Sequence, residues 1–166
     1  MSAIHQINGP WPGRLAIVAR PRGGDWLQDE IDSWARSGFH AIVSLLTSEE
    51  ANEFELTGEA DGCRSAGMVF ISFPIPDRDV PESRGETLQV IKSVEALLLA
   101  GRVVGLHCRQ GIGRSGLIAA CLLVSSGVPA ETAFSQISEA RGQTIPETNE
   151  QRRWVDEFAP ELAGAK

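Results

Sequence analysis

The chain has 166 residues, 42% hydrophobic and 22% charged, which suits one folding unit and excludes a disordered, collagen-like or disulfide-stapled chain. Its formal charge is −7, with 22 acidic against 15 basic residues and no lysine/arginine run. Nucleic-acid binding and attraction to an anionic membrane are therefore not expected, and any bound anion needs a small local site set against the global field.

The three cysteines, Cys63, Cys108 and Cys121, form no CxxC pair. Neither a metal cluster nor a disulfide framework is predicted, and the expected setting is the reducing cytoplasm. Residues 1–11 lack the basic and apolar segments of a secretory leader, and the longest nearly apolar stretch, 116–124, is too short to span a bilayer.

In chain order, residues 1–13 read as an irregular lead-in to a single domain over 1–166. A short apolar strand follows at 15–19, closed by Pro21 and Gly23-Gly24. Asp25 with Gln28 makes a capping-box pattern for a helix whose apolar face carries Ile31 and Trp34 and which Gly38 ends. A β-branched strand is predicted over 39–46. Thr47 with Glu50 then offers a second capping box, predicting helix over much of the stretch up to Gly67. Residues 68–73 read as a strand ended by Pro74-Ile75-Pro76, and 86–100 as a helix stopped by Gly101.

A last strand is predicted over 102–107. Beyond Cys108 the pattern is helical only: 115–126, apolar nearly all round, then 129–140 and 147–158. Strands separated by helical crossovers predict an α/β domain. Its central sheet is mainly parallel, of four to five strands flanked by helices, with a helical C-terminal third.

The chemistry concentrates in His107-Cys108-Arg109-Gln110-Gly111-Ile112-Gly113-Arg114-Ser115. A cysteine ends a buried strand, and an arginine six residues on opens a buried helix. The short, glycine-punctuated loop between them can turn its N–H groups inward as an oxyanion nest, reinforced by the helix N-terminus. Arg114 can offer a planar fork to two phosphoryl oxygens. A field that holds a dianion also favours a thiolate, which makes Cys108 a candidate nucleophile.

This segment resembles the His-Cys-x5-Arg-Ser/Thr signature of the protein tyrosine phosphatase superfamily. Pro74-Ile75-Pro76-Asp77-Arg78-Asp79-Val80-Pro81 looks like the general-acid loop of its compact, dual-specificity-like branch. The resemblance implies a cysteine phosphatase fold and hydrolysis of phosphotyrosine in proteins, with phosphoserine and phosphothreonine as further substrates, through a cysteinyl-phosphate. It implies Cys108 as nucleophile, Arg114 as phosphoryl clamp and Asp77 as general acid, with Asp79 as the fallback. His107 would steady the loop, and Ser115 would hydrogen-bond the sulfur. Arg109, Gln110, Gly111, Ile112 and Gly113 would shape the substrate site.

The family positions its attacking water with a glutamine or asparagine near the last helix. Gln151 matches a second family glutamine, whereas Glu147 stands where a first is often found. No metal or cofactor is implied, and the expected partner of a monomeric chain is a phosphorylated protein or peptide. The chain contains no tyrosine, so a tyrosine-bearing recognition loop is excluded. One extra cation among the variable loop positions argues mildly against polyphosphorylated inositol lipids.

Plainer readings stand beside these. Cys108 can be an inert core thiol, His107 a satisfied core histidine, Asp77 a turn former, Gln151 a solvated helix residue and Arg78 an exposed loop arginine. Cys63 is a candidate resolving thiol for Cys108, and Cys121 reads as packing. The four tryptophans read as core or cover, with Trp11 able to line a pocket rim. Gly111 to Gly116 also fits GxGxxG, but no second strand with a ribose-binding acid follows, so a dinucleotide fold is rejected. A phosphate-binding module without turnover and an arsenate-reductase-like redox enzyme remain the competing functions.

Overall fold

Five strands build one sheet: Ile4–Ile7 (β1), Arg14–Val18 (β2), Ala41–Ser44 (β3), Val69–Ser72 (β4) and Val103–His107 (β5). The computed structural model describes residues 3–164. Strand order is β1-β2-β5-β3-β4, with β1 antiparallel to β2 and every other pairing parallel. β5 therefore lies between β2 and β3, shielded on both edges.

The helices are Leu27–Arg36 (α1), Ser48–Glu53 (α2), Glu59–Ser65 (α3), Arg84–Leu99 (α4), Gly113–Ser125 (α5), Ala130–Arg141 (α6) and Asn149–Gly164 (α7). Strand side chains alternate between two cores, as the period of two demands. Leu15, Ile17, Val43, Val104 and Leu106 join residues of α4, α5, α6 and α7. Ala16, Val18 and Ile42 join Leu27, Ile31 and Trp34 of α1 and Cys63 of α3. The result is the expected three-layer α/β arrangement. Every residue of α5 is buried, which accounts for its apolar surround.

Four local expectations are corrected. Residues 1–13 are not wholly irregular, because β1 pairs with the outer edge of β2 in the register Ile4↔Val18 to Ile7↔Leu15. Burial alternates along β1, but the inward His5 is polar and the exposed Ile4 apolar, so the apolar/polar alternation that marks a half-buried strand is missing from the sequence. The Asp25/Gln28 capping box does not form. Gly24–Trp26 is a 3₁₀ turn instead, and Gln28 Nε2 donates to Asp32 Oδ1 at 2.9 Å.

The stretch from Thr47 to Gly67 is two helices, broken where Glu55 adopts φ 56° and Leu56 is buried. The last helix continues through Pro160 to Gly164, its final turn anchored by buried Leu162. Among the tryptophans, Trp11 and Trp34 are core residues, while Trp26 is exposed beneath the Arg22 guanidinium. No helix among the described residues is long and apolar enough to cross a membrane.

α5 packs so closely on the 142–148 loop that a Cβ at Gly116 would lie 2.3 Å from Ile145 Cγ2. Alanine favours a helix over glycine by about 1 kcal/mol, but overpacking costs about 1–3 kcal/mol. Gly116→Ala is therefore expected to lower the thermal midpoint; a raised midpoint would show that the contact yields.

Candidate active site

β5 delivers Cys108 to the C-terminal edge of the parallel strands, where open α/β sheets bind their ligands. The cysteine is 3% exposed, and the Gly111 N–H donates to its Sγ at 3.2 Å. Gly111 holds φ 71°, a conformation glycine reaches without strain.

Arg141, at the end of α6, grips the outer side of this turn. Its Nη2 donates to Gln110 O and its Nε to Gly111 O, both at 3.0 Å. In a planar trans peptide the C=O and N–H point oppositely. The outward pull on two consecutive carbonyls thus turns the N–H groups of Gly111 and Ile112 toward the sulfur side. Arg141 carries no signal in the sequence, because 30 positions separate it from Gly111 and nothing in its own helix marks it out.

Arg114 opens α5 and is 2% exposed. The sequence assigns its planar fork to phosphate without choosing among the nitrogens; Glu50 holds the two terminal ones, with Nη1 donating to Oε1 at 2.6 Å and Nη2 to Oε2 at 2.9 Å. Nη1 also donates to Ile75 O at 2.8 Å, and Nη2 to Asp77 Oδ1 at 3.1 Å. Among the described residues, Nε donates no hydrogen bond. The donor left for an incoming anion is therefore Nε, and Nη2 becomes available on the same edge where Asp77 yields its place.

Glu50 was legible only as a helix cap. It makes the expected capping box with Thr47 and holds Arg114 with the same carboxylate. Burial pushes this carboxyl up, but hydrogen bonds from Arg114 and Thr47 outweigh it and bring it down to about 2. Burial likewise opposes the charge on Arg114. The Glu50 hydrogen bond, then Cys108, Glu50 and Asp77 as charges, raise the guanidinium above its ordinary range.

Asp77, Arg78, Cys108, Gln110, Gly113, Arg114 and Glu147 line a cavity of about 110 Å³. Asp77 faces it from the loop after β4. Asp79 does not, since its Oδ1 accepts from the next N–H, that of Val80, at 2.7 Å. Arg78, at φ 61°, reaches across to Glu147, with Nη1 and Oε2 3.4 Å apart.

Gln151 is fully buried rather than solvated, and its amide is committed. Oε1 accepts from the Thr148 N–H, and Nε2 donates to Asp79 O, both at 3.1 Å. Arg109 turns away from the cavity over the Phe54 ring, where it donates to Glu50 and Glu53. Ile112 packs against the main core.

Behind the loop, His107 Nε2 lies 2.6 Å from Glu59 Oε2, with both side chains buried. The imidazole stacks on Trp34 at 6.0 Å between centroids. The partner glutamate carries no local sequence signal, because 48 residues separate the two. Ser115 Oγ is buried without a hydrogen-bond partner among the described residues, so the expected bond to sulfur is not formed in this state. Cys63 lies in the opposite core from Cys108, and burial followed by the charge of Glu59 pushes its thiol up to about 12. Trp11 lies in the main core, not in the lining of this cavity.

The depressed Glu50 carboxyl has a signed consequence. Its stabilisation is complete above the ordinary value of 4.5 and is lost as pH falls from there through about 2. Glu50→Gln is expected to cost about 3–5 kcal/mol in urea unfolding at pH 7, the range for removing one partner of a buried ion pair. The gap to the parent chain should close toward pH 2; a gap independent of pH would disprove the charge assignment.

Known proteins resemble the chain in sequence and in fold. A family model described as "Polymorphic toxin system, DSP-PTPase phosphatase" matches residues 17–128. Cyclin-dependent kinase inhibitor 3 of Rattus norvegicus is 27% identical over 139 residues, 82% of this chain and 65% of that protein. The matched region thus spans just under two thirds of that curated relative.

A kinase associated phosphatase whose catalytic-site cysteine is replaced by serine superposes with a TM-score of 0.88. It is 22% identical, with coverage of 98% of this chain and 97% of that one, and so supports the fold. The active form of Tk-PTP superposes at 0.75, with 29% identity over 89% of this chain and 92% of that one. The chain belongs to the dual-specificity-like branch of the protein tyrosine phosphatase superfamily.

Proposed function

We propose that the chain is a phosphomonoesterase acting on phosphotyrosine in proteins, with phosphoserine and phosphothreonine as further substrates, through a cysteinyl-phosphate. The observation that carries this reading is the convergence on one small cavity of Cys108, the Arg114 guanidinium and the Asp77 carboxyl. The related kinase associated phosphatase and the cyclin-dependent kinase inhibitor 3 sequences favour a phosphorylated protein as substrate.

In the first step Cys108 Sγ attacks phosphorus as the bond to the ester oxygen breaks, and Asp77 gives that oxygen its proton. The inward N–H groups and Arg114 hold the equatorial oxygens as charge builds. In the second step water attacks phosphorus, the P–S bond breaks and the thiolate leaves. Ser115 is assigned to the departing sulfur, reached by rotating its unpartnered hydroxyl. His107, tied to Glu59, steadies the base of the loop. Gln110 and Gly113 border the substrate from the loop, and Gly111 contributes its N–H. Gln151 acts through Asp79 O, holding the acid loop closed. Arg109 reaches the site through its 3.5 Å ion pair with Asp77.

The roles of Cys108 and Asp77 separate experimentally. Cys108→Ser is expected to abolish release of nitrophenolate from p-nitrophenyl phosphate while retaining vanadate binding; substantial residual turnover would exclude the nucleophile. Asp77→Ala should slow esters of poor leaving groups by about 100-fold and nitrophenyl or better leaving groups far less. Asp79→Ala should not reproduce that dependence, and if it alone does, the acid is Asp79.

A further inference from the structure

Arg20 is an arginine without a counterion. Among the described residues no carboxylate pairs with its guanidinium, whereas Arg22, Arg78, Arg109 and Arg114 around the same edge of the sheet are each paired. β2 runs parallel to β5 with Ile17 beside Leu106, so the chain leaves β2 at the edge that holds Cys108. Arg20 is half-buried there, its guanidinium carbon 3.5 Å from the centre of the Phe54 ring. At that distance the planar group lies flat on the ring. One face is covered, and the in-plane N–H donors stay unspent.

The arrangement is built rather than incidental. The Gly24 N–H donates to Glu55 O at 3.0 Å, and a Cβ on Gly23 would lie 1.8 Å from Phe54 O. The segment carrying Arg20 is thus fastened to the turn that carries Phe54. In that turn Glu55 takes φ 56°, a left-handed conformation that residues other than glycine seldom adopt. Arg109 lies over the same ring at 4.7 Å, and its own donors go to Glu50 and Glu53. Burial first, and the Arg109 charge second, press the Arg20 guanidinium below its ordinary range. The charges of Glu53 and Glu50 oppose this only from a distance. An anion seated on Arg20 would offset both costs.

Position says which anion. From Arg20 the contacts run through Phe54 to Arg109, and from Arg109 Nε to Asp77 Oδ2 at 3.5 Å, on the wall of the catalytic cavity. About four residues of extended peptide, at about 3.3 Å each, cover that path.

We infer that Arg20, seated on Phe54, is a specificity-determining residue that binds a second anionic group of a phosphorylated peptide, within about four residues of the phosphate in the cavity. The inference rests on the phosphoprotein reading above. A carboxylate and a second phosphate both fit the planar fork, the phosphate with the larger charge. The whole chain carries −7, so this preference is local and set against the global field.

The experiment compares kcat/KM of the full chain on phosphotyrosine and phosphothreonine peptides. Their flanks are all alanine, or carry one aspartate or one non-hydrolysable phosphonate analogue of phosphoserine at each position in turn. The parent chain is expected to favour the best-placed aspartate peptide over the alanine peptide by about fivefold, and the phosphonate peptide by more. Raising the salt concentration should shrink the preference. Arg20→Gln is expected to abolish it, and Arg20→Lys to keep part of it, since the charge stays while the fork goes. Both variants should turn over p-nitrophenyl phosphate, which has no flank, within about twofold of the parent.

Absence of any preference in the parent chain would overturn the inference, as would a preference that survives intact in Arg20→Gln. An equal loss on p-nitrophenyl phosphate and on every peptide would also overturn it, as the mark of a purely structural arginine. A parent chain that cleaves p-nitrophenyl phosphate but no phosphopeptide would refute the phosphoprotein reading itself, and the subsite with it.

Discussion

The bidentate pair between Arg114 and Glu50 is the contact around which the site is organised. A guanidinium this deeply buried is tolerated only with a closely matched partner, since an isolated charge in the interior costs several kcal/mol. Glu50 supplies that partner from the segment after β3, and Ile75 O adds a further acceptor from the segment after β4. Three loops at one sheet edge are thereby joined through a single planar group. The same geometry decides which nitrogens remain for substrate. With Nη1 saturated by protein, an anion meets the Nε side.

Around this fixed point the loop from Cys108 to Arg114 is shaped from outside as much as from within. Arg141 holds two consecutive carbonyls, and the peptide planes transmit that pull as inward N–H groups. The loop that carries Asp77 is held in a comparable way, by Gln151 at Asp79 O and by the Arg78–Glu147 pair. Positioning therefore falls largely to polar contacts between elements distant in sequence. The chemistry is left to the few groups that line the cavity.

That division explains what could be read in the chain. The parallel sheet, the buried helix after Cys108 and the candidate nucleophile were legible because each has a local signature: a β-branched run, an all-round apolar helix, a glycine-punctuated loop between two charged landmarks. Asp77 is singled out only by the resemblance of its proline-flanked loop to the family's general-acid loop. Glu50, Glu59 and Arg141 were not, because each acts across the fold on a residue at least 30 positions away. The Thr47–Glu50 capping box was recognised, yet a cap explains only two of the bonds its carboxylate makes. β1 was missed for a simpler reason: an edge strand with one buried side chain has almost no pattern to show.

The distribution of sulfur bears on how the protein would survive peroxide. Cys63 lies across the sheet from Cys108. Cys121 lies eight residues into α5, about 12 Å along its axis from the start. A disulfide requires Cα atoms within about 7 Å. A sulfenic acid on Cys108 would thus lack an internal thiol to condense with, and its reversal would depend on small diffusible reductants reaching the cavity. Recovery from oxidative damage would then follow the redox state of the surroundings rather than a device carried by the fold.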